Sequence, residues 1–318
     1  LLAASGWRCD DGFAEQVDLA AQLAKTDLLT DMVGEFPELQ GIMGAYYARH
    51  DGLPDAVAEA IEDHYKPRFA GDALPRNPVG LVVALADKLE TLVGMFGIGN
   101  LPTGDKDPFA LRRHALGVIR ILVENDLPLD LATLLAQAQP AFGDKIKDAS
   151  AALLDFIFDR LAGSLREQNF SALEVEAVLA LRPQHLGDVA KRLAAVRAFA
   201  ALPESPALAA ANKRIGNILK KADAVAAQVN PAWLQEPAEQ QLAAVMQQLL
   251  PLSESQFQAG DYTASLQTLA ALRAPVDAFF DGVMVNAEAV ELRQNRLGLL
   301  KTLHVAMNRV ADLARLAV

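Results

Sequence analysis

The chain is 318 residues long, 52% hydrophobic and 6% aromatic, with a formal charge of −11 and a single cysteine, Cys9. That length accommodates two domains with a sizeable core, the spread of apolar residues leaves no run of about eighteen that would cross a membrane, and one thiol excludes an internal disulfide framework or a cysteine-based zinc site. The acidic balance argues against a uniformly basic surface that coats nucleic acid, yet leaves room for a local basic patch.

A soluble, cytoplasmic chain is therefore expected, with Cys9 an incidental thiol suited to a reducing compartment. The opening Leu1-Leu2-Ala3-Ala4 has neither an initiator Met nor the layout of a signal peptide, so the chain reads as beginning inside a longer protein. Helix signals recur from end to end: alanine and leucine dominate, and β-branched alternation is confined to Val283-Met284-Val285. The fold class is all-α.

In chain order, residues 13–33 read as one helix with apolar positions at Val17, Ala20, Ala21, Ala24, Leu28 and Leu29. Residues 39–47 continue after the GEFPE break, 55–65 form a short acidic helix, and 66–78 a proline-punctuated loop. A nearly charge-free helix then carries Asp87-Lys88 in its interior and is expected to break at Gly94, Gly97 and Gly99. The next helix is expected to start at Asp107 as cap and Pro108 as first residue, leading into FALRR. Residues 131–138, 149–168, 171–181, 187–202, 206–229, 236–259, 262–280 and 287–317 read as further helices. Ser171 and Glu174 have capping-box spacing, and Pro275 is expected to interrupt the helix that contains it. Joints near 126–148 and at ALPESPA suggest three regions: 1–135, a connecting region 136–205, and 206–318.

Residues 79–120 concentrate the chemistry: an interior carboxylate, a glycine-rich turn, and Arg112 and Arg113 opening a helix, with Arg120 further along. The glycines lack a preceding strand and a GK[ST] ending, so they do not make a phosphate loop. A helix start with arginines can grip phosphate or can simply be a solvated basic face. A hydrolytic metal site would need several imidazoles and carboxylates converging on one ion.

The segment IEDHYKPRFAGDALPRNPVGLVVALADKLETLV resembles the second half of the HD phosphohydrolase domain, and LLTDMVGEFPELQGIMG resembles that family's "LLHD" helix. Asp31, His64 and Asp87 would then form a degenerate site, with Thr30 standing where the metal-binding His belongs and no metal expected. The exposed His50-Asp51 pair is read as polar surface, and Asp87 as a group hydrogen-bonded within the core rather than a catalyst.

Read as longer strings, FPELQGIMGAYYARHDG, HYKPRFAGDALP, ALADKLETLVGMFGIGNLPTGDKDPFALRRHALGVIRILVE and VDAFFDGVMVNAEAVELRQNRLGLL closely resemble the beta subunit of bacterial tetrameric glycyl-tRNA synthetase. ANKRIGNILKK and VADLARL match in the same order. The resemblance implies an HD-like helical domain kept as a scaffold, followed by a helical anticodon-binding domain similar to that of arginyl-tRNA synthetase. It also implies that the chain binds tRNA-Gly and works with an alpha subunit that makes glycyl-adenylate from ATP and Mg, in a tetramer of two alpha and two beta subunits. This part would be non-catalytic and hold no cofactor itself. The basic residues expected to meet RNA are Arg112, Arg113 and Arg120 in the front half, and Lys213, Arg214, Lys220, Lys221, Arg293, Asn295, Arg296 and Lys301 in the rear. Helical spacing allows Arg293, Arg296 and Lys301 to share one side, with Leu292, Leu299 and Leu300 turned to the core. Trp233, Phe279 and Phe280 are aromatic candidates for base stacking or for core. The competing function is a metal-dependent HD-superfamily phosphohydrolase.

Overall fold

The computed structural model describes residues 12–222 and 225–317, so Cys9 and the opening residues lie outside the described part. These residues form fifteen α-helices and short 3-10 turns, with two isolated β-bridges and no strand among them. The helices are α1 Phe13–Leu23, α2 Asp31–Glu35, α3 Ile42–His50, α4 Asp55–Asp63, α5 Pro78–Gly97, α6 Leu111–Glu124, α7 Leu131–Ala138 and α8 Ser150–Glu167. They continue as α9 Ala172–Leu179, α10 Asp188–Ala200, α11 Ser205–Lys220, α12 Pro237–Gln258, α13 Tyr262–Ala270, α14 Arg273–Gly282 and α15 Val290–Met307. The chain groups into two compact units. One runs to Gly163 and takes back Gln184–Asp188; the other holds Ser164–Pro183 and everything from Val189 on. The stretch 136–205 is thus divided between the two.

In the first unit α5 is central, packing against α1, α4, α6 and α7. Asn77 caps it by accepting a hydrogen bond from the Gly80 amide at 2.9 Å, and Pro78 occupies its first position, where no amide hydrogen is needed. Being apolar nearly all round, it is buried nearly all round, from Val79 and Leu81 to Leu92 and Phe96. The expected break at Gly94 does not occur, since it lies inside α5, whereas the helix does end at Gly97; a Cβ at the two positions would press on Phe142 and Ile146. These glycines permit close packing, and the chain turns only at Gly99, with φ +78°. The helix expected from Asp107 starts instead at Leu111. Asp107 still caps it from outside, its carboxylate accepting from the Leu111 and Arg112 amides at 2.8 and 2.9 Å.

The expected single helix over residues 13–33 is likewise three pieces, α1, a 3-10 turn at Thr26–Leu29, and α2. Buried Asp27 enforces the break by accepting from the amides of Gly41 and Gly44 at 2.6 and 3.1 Å, which satisfies the free N-terminus of α3. Asp63, fully buried, organises the loop after α4 in the same manner: it accepts from the Arg76 amide and guanidinium at 2.7 to 2.9 Å and pairs with Lys66 at 2.8 Å. Burial pushes its pKa up, but these donors outweigh burial and hold it below the ordinary carboxylate value.

In the second unit α12 packs on α13, α14 and α15, and α11 packs on α14 and α15. Leu242, Met246, Leu266, Val276, Phe279, Leu299 and Leu300 fill the space between them. The capping box at Ser171 and Glu174 forms as the spacing predicts, and Arg197 of α10 adds an ion pair to Glu174 at 2.8 Å. Pro275 does not interrupt a helix; it sits in the first turn of α14, and the break falls before it at Ala271 and Leu272. Val283–Val285 forms no strand and leads instead toward α15.

Candidate nucleic-acid interface

The first unit gathers a cluster of titratable groups around Asp87. Its half-buried carboxylate pairs with the ammonium of Lys25, at the far end of α1. The neighbouring Lys88, 3% exposed, donates to the backbone carbonyls of His64 and Tyr65 at 3.2 and 3.3 Å, and its stem lies against Gly117 of α6. His64 is fully buried, with Nδ1 2.7 Å from the Ile61 carbonyl oxygen and no partner at Nε2. Burial lowers its pKa, keeping the imidazole neutral, and does the same for His114.

Asp31 takes no part in this cluster. It is exposed at the start of α2, which packs on the two 3-10 turns beside it, while Thr30 serves as the α2 N-cap and accepts from the Val33 amide at 3.4 Å. The set Asp31, His64 and Asp87 therefore does not assemble, and no three His, Cys, Asp or Glu residues among the described ones converge to hold an ion. The physical reason is charge: Lys25 already neutralises the one carboxylate available, and a second ammonium, Lys88, repels a divalent cation from the same place.

The buried ammonium has a measurable cost. Burial depresses the Lys88 pKa to about 8, against a weaker opposing pull from Asp87. Between about 8 and the ordinary lysine value of 10.5 the unfolded chain holds a proton that the folded chain has released, so folding stability rises with pH across that window. Denaturant titrations should show that rise, at up to about 1 kcal/mol per pH unit. Lys88→Met should flatten it; a slope that survives the substitution would assign the titration elsewhere.

The front-half arginines have different fates. Arg112 donates to the Gly104 carbonyl, and Arg120 to Glu124 and, at 2.8 Å, to the Asp72 carbonyl. Arg113 is exposed, with no side-chain partner among the described residues. His50 and Asp51 are both exposed at the end of α3, as expected of polar surface.

The second unit contains a cleft of about 1310 Å³. One wall is the polar face of α11 and the residues after it, contributing Lys213, Arg214, Asn217 and Lys221. The other is the first part of α15 with the loop before it, contributing Asn286, Glu291, Arg293 and Gln294; residues 225–233, including Trp233, complete it. α11 builds its wall because Leu208, Ala211 and Ile215 face the core, which turns Lys213, Arg214 and Asn217 outward. The expected helix over 206–229 ends at Lys220, and residues 225–233 close the cleft.

That segment is fastened to α15 at two points. Asn295 accepts from the Asn230 amide at 2.7 Å, and Gly298 leaves the space that the Gln228 carbonyl occupies, which any side chain would block. Trp233, 37% exposed, sits in a 3-10 turn capped by Asn230. Phe279 is core, and Phe280 lies under the Arg214 guanidinium at 4.1 Å, a cation–π contact that holds the arginine in place.

The expected basic face of α15 does not exist as drawn. Arg293 lines the cleft and donates to the Ala287 carbonyl at 3.2 Å, but Arg296, three residues on, is 5% exposed and pairs with fully buried Glu239 of α12. Its other arm donates to the Met284 carbonyl at 2.7 Å. Asn295 is buried in its backbone contact, and Lys301 is half-buried away from the cleft lining. Lys220 is exposed but also outside that lining. Of the rear-half residues expected to meet RNA, the structure thus brings Lys213, Arg214, Lys221, Arg293 and Asn295 to one concave surface, Asn295 also fastening its wall, and assigns Arg296 to holding it together. Glu239 is the residue that sequence reading missed, and nothing marks its partnership with an arginine 57 positions away.

The family profile described as "Glycyl-tRNA synthetase beta subunit" matches residues 3–180, and that of the "DALR anticodon binding domain" matches residues 208–314, which contain the cleft. A protein named Glycine--tRNA ligase beta subunit from Delftia acidovorans is 76% identical over 309 residues, 97% of this chain and 44% of that protein. Its namesake from Paracidovorax citrulli is 75% identical over 309 residues, and that from Methylobacillus flagellatus 65% over 311, each with the same coverage. The chain spans less than half the length of these relatives. A wholly helical fold, a rear unit with a basic cleft and these matches over both units together show that the chain belongs to the glycyl-tRNA synthetase beta subunit family.

Proposed function

We propose that this chain is the tRNA-gripping part of a glycine-tRNA ligase beta subunit and that the cleft of the second unit receives the anticodon loop of tRNA-Gly. The observation that supports this most directly is the convergence of Lys213, Arg214, Lys221 and Arg293 on one cleft within the anticodon-binding match. Phosphate contacts fix a loop's register, whereas unstacked bases need aromatic faces and polar side chains of the kind Trp233, Asn217 and Gln294 offer. The overall charge of −11 does not oppose this, because the field that matters is local.

Under this reading the first unit is a scaffold that has exchanged an ion site for the Lys25–Asp87 pair, with exposed Arg113 available to the body of the RNA. The chemistry of amino-acid activation, with its ATP and Mg, belongs to a partner alpha subunit in a cytoplasmic assembly of two alpha and two beta chains. A phosphohydrolase would require ligands around Asp87 that the described residues do not bring there.

The test is binding of the chain to tRNA-Gly and to the same tRNA with an altered anticodon. Replacing anticodon bases should weaken binding by about tenfold or more, given the roughly 1–3 kcal/mol carried by each well-read base. Equal affinity for the two would remove the anticodon from the reading, and no affinity for either would remove RNA.

A further inference from the structure

Among the described residues that line the cleft, the cations outnumber the carboxylates four to one, and the carboxylate is Glu291. It is exposed in the first turn of α15 and has no hydrogen bond or ion pair with a described residue. The cations around it have other engagements: Arg293 donates to the Ala287 carbonyl, and Arg214 stacks on Phe280. Glu291 is therefore a free pair of acceptor oxygens inside a surface otherwise built to attract anions.

For a phosphate backbone such a group is a liability, since like charges a few ångströms apart repel. It has one asset for nucleic acid. An ionised carboxylate only accepts, so it pairs with the exocyclic amino group of cytosine, adenine or guanine; uracil has no such group, and its one edge donor, N3–H, is flanked by two carbonyl oxygens that the carboxylate repels. In a single-stranded loop those edges are open, and a base held there can rest on an aromatic face while its edge is read. Trp233 supplies an exposed indole to the same cleft.

We infer that Glu291 is a specificity-determining residue that accepts a hydrogen bond from the exocyclic amino group of one unstacked loop base, while Lys213, Arg214, Lys221 and Arg293 hold the flanking phosphates. This rests on the reading that the cleft takes RNA. The plain competing role, a carboxylate that offsets the positive end of the α15 dipole, would alter stability and leave base discrimination untouched.

The experiment uses the full chain and a set of hairpins carrying the anticodon arm of tRNA-Gly, in which each amino-bearing loop base is replaced in turn by its analogue without the amino group. Affinities are measured for the native chain and for Glu291→Ala, whose folding is checked by thermal melting. The native chain should lose about tenfold in affinity at one loop position. Glu291→Ala should bind the parent hairpin less tightly, by a similar factor, and show less than about a twofold further loss at that position, as a coupled pair requires. Discrimination that persists in Glu291→Ala, or a native chain that binds hairpins but is indifferent to every amino group, overturns the role of Glu291 and leaves the cleft as an RNA site. A native chain that binds no hairpin overturns the cleft reading and this inference with it.

Discussion

Arg296→Met is expected to destabilise the second unit by about 3–5 kcal/mol, because it leaves the Glu239 carboxylate buried without its counter-charge. Glu239 does keep its hydrogen bonds from the Gln235 and Glu236 amides, at 2.8 and 3.2 Å, but these do not replace a guanidinium. The same substitution releases the Met284 carbonyl and with it one fastening of the loop that leads into α15. A loss of that size is a large share of the roughly 5–15 kcal/mol that holds a domain folded. Denaturant unfolding gives the measurement. Arg296→Met combined with Glu239→Gln should recover much of the loss, since removing both charges is far milder than stranding one. A single substitution as stable as the native chain would mean that the arginine faces solvent after all. If the double variant folds and still binds tRNA-Gly as the native chain does, Arg296 shapes the cleft wall without touching RNA.

The largest effect on binding is expected from Lys213→Ala, Arg214→Gln and Lys221→Ala made together. Each removes an exposed cation from one wall of the cleft, and none of the three lies in an ion pair with a described acid. If each meets one phosphate of a single-stranded loop, the slope of log affinity against log salt should shrink by about 0.7 per residue, or roughly 2 in all. Affinity at low salt should fall on the order of a hundredfold. Glutamine at position 214 is preferred to alanine because it keeps part of the cover over Phe280. An unchanged salt slope in a folded variant would move the contact surface to another face, and exposed Arg113 of the first unit would be the next substitution to make.

The repeating apolar positions and the cap residues carried most of the helical architecture in plain view. Ser171 with Glu174, and residues 131–138, lie where local spacing puts them, because capping and amphipathicity act over one or two turns. Helix ends and breaks were less legible wherever a distant residue sets them. Asp27 ends the first helix by serving amides at Gly41 and Gly44, and α5 runs unbroken through Gly94, whose missing side chain makes room for Phe142.

For the site, the sequence by itself determined which cations exist, that the long strings around them resemble one family, and that imidazoles are missing from the HD-like motif. The tertiary structure alone decided which of those cations face outward. Arg293 and Arg296 look alike on a helical spacing, yet one lines a cleft and the other is buried against Glu239, because an ion pair is chosen by distance in space. The same reason separates Asp31 from Asp87: the carboxylate that survives at the core is matched by Lys25, which follows α1 and lies 62 residues away in sequence, and the free one stays on the surface.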